Sequence, residues 1–197
     1  MDTTRGSVRE EIRRVLLTAD DAMALEVHGS TDAAVLVPLY VSEGELHVVF
    51  TKRRHDLRRH PGEVSFPGGR YDDGERDLLA TALREAHEEI GLAPEAVEIL
   101  GALQPTPTIA TNYSVYPFVG MIEAGLTWTL SALEVAEVIE LSVSQLQAGY
   151  GRRRLLRRGL PIRTDTYEVG EHMIWGATAR ILADLLERLD AVDGATG

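Results

Sequence analysis

The stretch from Phe66 to Leu92, FPGGRYDDGERDLLATALREAHEEIGL, restricts what the rest of the chain can do. Phe66-Pro67-Gly68-Gly69 is a sharp bend, because proline holds φ and two glycines accept backbone angles that a Cβ would forbid. Asp72-Asp73-Gly74 continues the loop. From about Glu75 onward, Leu79, Ala82, Leu83, Ala86 and Ile90 recur at the period of an amphipathic helix. Gly91 stands where a C-terminal cap is expected, and Pro94 bars continuation.

The acid in this helix lies in an unusual place. Glu85, Glu88 and Glu89 share a sector of roughly 100° beside the apolar stripe. They occupy the last two turns, where the negative end of the helix dipole disfavours each carboxylate by roughly 0.3–1 kcal/mol. Glu85 and Glu89 also repel each other one turn apart. Arg84 can pair with Glu88, yet one arginine does not balance three carboxylates. A divalent cation would, since Mg²⁺ is held by hard oxygen ligands with positions left for water and phosphate. A solvated acidic face is the competing reading; the glycine-rich loop in front and the glycine stop behind weigh against it.

The run resembles a Nudix box, G-x5-E-x7-R-E-U-x-E-E-x-G-U with U a bulky aliphatic. Gly69, Glu75, Arg84, Glu85, Ala86, Glu88, Glu89, Gly91 and Leu92 supply it. Two features depart from the pattern. Eight residues rather than seven separate Glu75 from Arg84, which leaves the part played by Glu75 open, and Ala86 is small. Just upstream, Lys52 to His60 reads KRRHDLRRH, a dense positive patch that could steer a phosphorylated ligand or stand as a solvated loop. Thr51, Arg53, Arg58, Gly62 and Phe66-Pro67-Gly68-Gly69 match LLTxR[SA]xxxRxxxGxxxFPGG, the extra motif of coenzyme A pyrophosphatases. Val49-Phe50 replaces its two leucines, and Arg54 replaces its small residue.

The resemblance runs from about Ala33 to Leu189 and carries expectations with it. The fold it implies is α+β, a mixed β-sheet sandwiched between α-helices. The reaction it implies is hydrolysis of the diphosphate of coenzyme A or an acyl-CoA, to 3′,5′-ADP and a 4′-phosphopantetheine. Mg²⁺ or Mn²⁺ is the implied cofactor, with Glu85 and Glu89 as primary ligands, Glu88 as a further ligand or water-positioning base, and the Gly69 carbonyl beside them. Arg84 is expected to hold the glutamates, and Arg53 and Arg58 to contact phosphate, with Thr51 in the same motif. Asn112 and Tyr113, in a Pro/Thr-rich loop, either contact the nucleotide or pantetheine or only shape the turn. An acid around Glu137 is either a further carboxylate beside the metal or, as the favoured reading, a solvent-facing one. Two alternatives stay open: another nucleoside diphosphate derivative such as ADP-ribose, NADH or a dinucleoside polyphosphate, and a non-catalytic nucleotide-sensing domain.

Bulk properties bound these readings. The 197 residues carry a formal charge of −11, which argues against a nucleic-acid binder, whose affinity comes from neutralising phosphates. There is no cysteine, which excludes disulfides and thiolate sites and suits a cytoplasmic protein. No run of 18 apolar residues marks a membrane span. The expected partner is a small CoA-like nucleotide, and the resemblance leaves room for a homodimer.

Local patterns complete the expectation. Residues 5–19 read as a helix within an N-terminal segment, 1–30, packed on a hydrolase domain, 31–190, with 191–197 as a disordered tail. Strands are expected at 33–40, 46–51, 97–104, 115–123 and 138–141, with Pro38 marking an edge or bulge in the first. Ser42 to Glu45 reads as a hairpin turn and Ser142 to Leu146 as a cap and short helix. Gly151 to Gly159, GRRRLLRRG, reads as a basic surface loop in preference to a contact for a peripheral phosphate, and 164–174 as a hairpin turning at Gly170-Glu171. The last helix carries Ile181, Leu182, Leu185, Leu186 and Leu189.

Overall fold

The computed structural model describes residues 3–25, 27, 29–56, 62–108, 112–157 and 160–193. Two helices, α1 (Thr3–Val15) and α2 (Ala19–Ala24), precede the hairpin of β1 (Thr31–Ser42) and β2 (Glu45–Arg53). Two short strands follow, β3 (Val64–Ser65) and β4 (Gly68–Arg70), then helix α3 (Leu78–Ile90) and a 3-10 turn at Pro94–Ala96. Next come β5 (Glu98–Ala102), β6 (Thr106–Pro107), β7 (Tyr113–Met121), β8 (Val135–Ser142) and α4 (Val143–Ala148). The chain closes with β9 (Tyr150–Arg157), β10 (Leu160–Val169), β11 (His172–Trp175) and α5 (Gly176–Asp193). No helix among the described residues is long and apolar enough to cross a membrane.

Strand β1 lies at the centre. Along one edge β7 runs parallel to it, from Thr31 opposite Tyr113 to Leu39 opposite Met121. Its other edge is shared: β4 pairs with Ala33–Val35 and β2 pairs only from Leu39 onward. Strand β2 is likewise flanked by β8 on one side and by β1 and then β3 on the other. The two hairpin strands therefore diverge on the N-terminal side of Leu39, and Phe66-Pro67 steps across the opening from β3 to β4.

This split accommodates Pro38, which stands in a central strand and not at the edge or bulge expected. Leu36 donates its N–H to the Pro67 carbonyl at 2.9 Å. Two residues on, the missing donor of Pro38 faces the gap between the β4 and β2 pairings, so no ladder bond is lost.

Period-two alternation sends β1 side chains into two cores. Ala33, Val37 and Leu39 join Ile12 of α1 and Leu182 and Leu185 of α5, while Ala34, Leu36 and Tyr40 join Ala82, Ala86 and Ile90 of α3. The sheet is thus covered by helices on both faces. The hairpin turn forms as expected, with Glu43 and Gly44 at φ 53° and 82°. So does the capping box of α4, in which Ser142 and Gln145 exchange hydrogen bonds.

Three local expectations are corrected. The helix read over 5–19 stops at Val15, because Leu17 pairs with Ala102 in both directions at 3.0 and 2.9 Å and Thr18 caps a new helix. The basic segment read as a loop is strand as far as Arg157, its last two residues lying outside the described ones, and carboxylates of β10 receive its arginines: Arg152 on Asp165 at 2.7 Å, and Arg153 on Glu168. Helix α5 continues to Asp193, through the first residues of the segment read as tail. The β10–β11 turn at Gly170 forms where expected.

Leu36 is fully buried beneath α3. Leu36→Ala is expected to lower unfolding free energy by about 2–5 kcal/mol, as for other buried leucine truncations. The check is a lower denaturation midpoint at an unchanged slope on denaturant.

Candidate functional site

Helix α3 begins at Leu78, later than the periodicity indicates, because Asp77 caps it by accepting the Ala80 N–H at 2.8 Å. Glu75 consequently lies in the loop ahead of the helix. Its carboxylate accepts from the Asp72 N–H at 2.8 Å, the Thr81 hydroxyl at 2.7 Å and Arg84 Nε at 2.7 Å. The extra residue of the box is absorbed in this loop, and Glu75 still reaches Arg84. The Arg84 guanidinium, helped by the Asp72 N–H and the Thr81 hydroxyl, draws the Glu75 carboxyl down to about 2 against its partial burial. Arg84 then turns to the helix, lying 2.9 Å from Glu85 and 2.9 Å from Glu88. One guanidinium thus binds three carboxylates.

Glu89 stands apart from that hub. It is 5% exposed and accepts the Gly68 N–H at 3.3 Å. Burial first, and then the charge of Glu85, push its carboxyl up to about 8, while Arg53 opposes the shift. Glu85 is raised as well, by burial, with Arg84 pulling the other way. The glycine bend is pressed directly against these acids. A Cβ on Gly69 would lie 2.2 Å from a Glu85 carboxylate oxygen, and one on Gly68 would lie 2.3 Å from the Ala34 carbonyl. At the far end Gly91 takes φ 71°, and the Leu92 N–H returns to the Ala86 carbonyl at 3.4 Å. The N–H groups of Thr129 and Ser131 satisfy the carbonyls of Ile90 and Glu89, at 3.0 and 2.8 Å.

The other expected site residues divide. Arg53, at the end of β2, presents its charge to Glu89. Arg58 lies outside the described residues. Thr51 is 1% exposed and its hydroxyl meets the Ser65 carbonyl and hydroxyl, each at 3.3 Å, joining β2 to β3. Asn112 takes φ 57°, donates to the Thr108 carbonyl at 3.0 Å and accepts from the Ser30 N–H at 2.8 Å. Tyr113 packs into the core on the α1 and α5 face, away from α3. Of the two roles open for this pair, the structure favours shaping the turn. Glu137 pairs with Lys52 at 3.5 Å and lies 4.0 Å from His172, whereas the charge of Glu134 reaches both Glu85 and Glu89. Choosing Glu134 over Glu137 requires the register of β8 on β2, which no local pattern encodes.

Among the described residues no three Asp, Glu or His side chains surround one point. Mg²⁺ does not ask for that, being commonly bound by one or two carboxylates together with waters and substrate phosphate. Glu85 and Glu89 fit this description: two oxygen donors one turn apart, one of them buried and lacking enough positive charge to ionise easily. Glu88, 57% exposed and held by Arg84, stands outside the pair.

Comparison with known proteins agrees with this layout. A family model described as the NUDIX domain matches residues 30–158. The chain belongs to the Nudix family. It is 38% identical over 187 residues to the "Uncharacterized Nudix hydrolase NudL" of Salmonella newport (strain SL254), spanning 94% of this chain and 96% of that one. The NudL of Salmonella typhimurium (strain LT2) matches to the same extent. Among solved structures, a C. elegans Ap4A hydrolase binary complex superposes with a TM-score of 0.56 at 17% identity, covering 84% of this chain and 98% of that one. The NUDIX domain of Shewanella oneidensis NrtR, complexed with ADP ribose, gives 0.54 at 13% identity, covering 89% and 98%. At such identities these two establish the shared Nudix fold, the mixed sheet between helices expected above.

The Glu75–Arg84 pair sets a pH-dependent part of the stability. Because the folded carboxyl titrates near 2, below its ordinary value of 4.5, its contribution is complete above 4.5 and is lost as pH falls through about 2. Glu75→Gln is expected to cost about 1.5–3 kcal/mol at pH 7, the scale of a charged hydrogen bond. Thermal unfolding across this pH range should show a shallower acid loss in the variant than in the parent.

Proposed function

We propose that this Nudix protein is a divalent-cation-dependent pyrophosphohydrolase that cleaves the diphosphate of coenzyme A or an acyl-CoA, yielding 3′,5′-ADP and 4′-phosphopantetheine or its acyl derivative. The observation that carries the reading is that the charge of Arg53, at the end of the strand bearing the coenzyme A motif, acts on Glu89, one helical turn from Glu85. Mg²⁺ or Mn²⁺ held by Glu85 and Glu89, beside the backbone of Gly69, would supply charge neutralisation of the diphosphate and activation of water.

The chain's own residues do the rest. Arg53 binds a phosphate oxygen, and Arg58 is assigned the same task from the motif. Arg84 fixes Glu85 from the side, so that this carboxylate faces the glycine bend in one orientation. Glu88, exposed at the rim, is positioned to orient a water. Gly62, also in the motif, takes φ 70° above the His55 ring, which supports the path of the segment leading to Phe66.

The reading in which the domain only senses a nucleotide is disfavoured by the intact set of Glu85, Glu88, Glu89 and Arg84. The test is product analysis with Mg²⁺ on coenzyme A, acetyl-CoA, ADP-ribose, NADH and a dinucleoside polyphosphate. Release of 3′,5′-ADP from the first two is expected; preference for any of the others overturns the coenzyme A assignment and retains the chemistry. Glu89→Gln should lower kcat on the order of 10²–10³-fold, the scale of losing one preorganised charged group, with the fold unchanged by circular dichroism. A variant retaining near-parental kcat with Mg²⁺ would remove Glu89 from the site.

A further inference from the structure

Arg54 stands where the coenzyme A motif carries a small residue, and its guanidinium is fully engaged. Its Nε and Nη2 hold the two Asp56 carboxylate oxygens at 2.9 and 2.8 Å, and Nη1 donates to the Ala132 carbonyl. Its backbone N–H donates to the Glu134 carbonyl at 3.0 Å. From the end of β2, Arg54 therefore grips the loop 129–134 at two points near the C-terminal end of that loop.

The opposite end of the loop is tied to the acid-bearing helix. Thr129 and Ser131 donate to the carbonyls of Ile90 and Glu89, so the loop is bonded to the backbone of Glu89 itself. Glu134 and Val135 donate back to the Ser131 carbonyl at 3.1 and 3.0 Å. Burial does little to hold this segment, since Leu133 is 81% exposed and Leu130 is also exposed. Polar bonds therefore fix its position, and Arg54 supplies those on the β2 side. Glu134 rides on this loop, one backbone hydrogen bond from Ser131, which is itself bonded to the Glu89 carbonyl, so its negative charge adds to the local attraction for a cation.

We propose that Arg54 is a positioning residue, a latch that holds the 129–134 loop and Glu134 against the acid face of α3. It thereby raises divalent-cation affinity without touching the cation. This rests on the assignment of Glu85 and Glu89 as cation ligands.

The test measures Mn²⁺ binding to the substrate-free protein, by the electron-paramagnetic signal of the free ion, together with amide hydrogen exchange. The variants are Arg54→Ala, Glu134→Gln, the double variant, and Glu89→Gln. Arg54→Ala should weaken Mn²⁺ binding at least about fivefold and speed exchange at Ser131 and Val135, and the double variant should bind no more weakly than Glu134→Gln alone. Less than a fivefold change, or effects of the two single variants that multiply in the double variant, overturns the latch. Unchanged Mn²⁺ binding in Glu89→Gln overturns the cation site instead, and with it the effect on affinity; exchange in Arg54→Ala then decides the loop contact by itself. Arg54 is 41% exposed, so its truncation leaves the core intact.

Discussion

Four carboxylates crowd the catalytic-box region, and the interaction that makes this tolerable is the three-way engagement of Arg84. Glu85 and Glu88 lie toward the C-terminal end of α3, where the helix dipole already opposes negative charge. Glu75 comes from outside the helix and adds a third. A lysine could reach one or two of these acids, but the fork of a guanidinium sets a separate nitrogen 2.7 to 2.9 Å from each of the three, hydrogen-bonding Glu75 and Glu88 and ion-pairing with Glu85. The loop from Gly69 to Asp77 is thereby fastened to the middle of the helix it precedes. That fastening lets the glycine bend lie directly under the Glu85 carboxylate.

The sheet contributes the other half of the constraint. Because β1 and β2 are apart on the N-terminal side of Leu39, the chain can enter the opening with Phe66-Pro67 and leave it along β1. Phe66 stacks on Phe50 with ring centroids 4.8 Å apart, which seats the bend in the core. Gly68 and Gly69 then pass between Ala34 on one side and Glu85 on the other, with no room for a side chain. Acid face and glycine bend therefore form one unit, set by the split between two strands.

What was legible in the sequence is what is encoded over a few residues. The Gly91 cap, the Ser42–Glu45 turn, the Ser142 capping box and the box glutamates all depend on neighbours within about one helical turn. What escaped depends on partners far along the chain. Pro38 looks like an edge residue until β4 and β2 are seen to divide the strand it faces. Arg152 and Arg153 look like loop residues until Asp165, opposite Arg152, and Glu168, further along β10, receive them. Even the start of α3 was misplaced because Asp77, an ordinary cap residue, follows Glu75, whose side chain is drawn backward by Arg84. In each case a local preference was overridden by a tertiary partner.

Glu89 shows how the site and the fold pull against each other. Its carboxyl titrates near 8 in the folded chain, well above the ordinary 4.5. The protonated form is therefore favoured by folding, and this contribution is complete below about 4.5 and lost as pH rises through about 8. The ionised form needed to bind a cation is thus the form that burial penalises. A cation held there would reverse the balance, since it would bind the folded chain and not the unfolded one and replace the proton at the same oxygens. The buried glutamate that weakens the protein without metal at neutral pH is the one that would make metal binding stabilise the fold. Burial at this position is best understood as a coupling between cation and structure, with Arg53 and the Gly68 N–H limiting its cost.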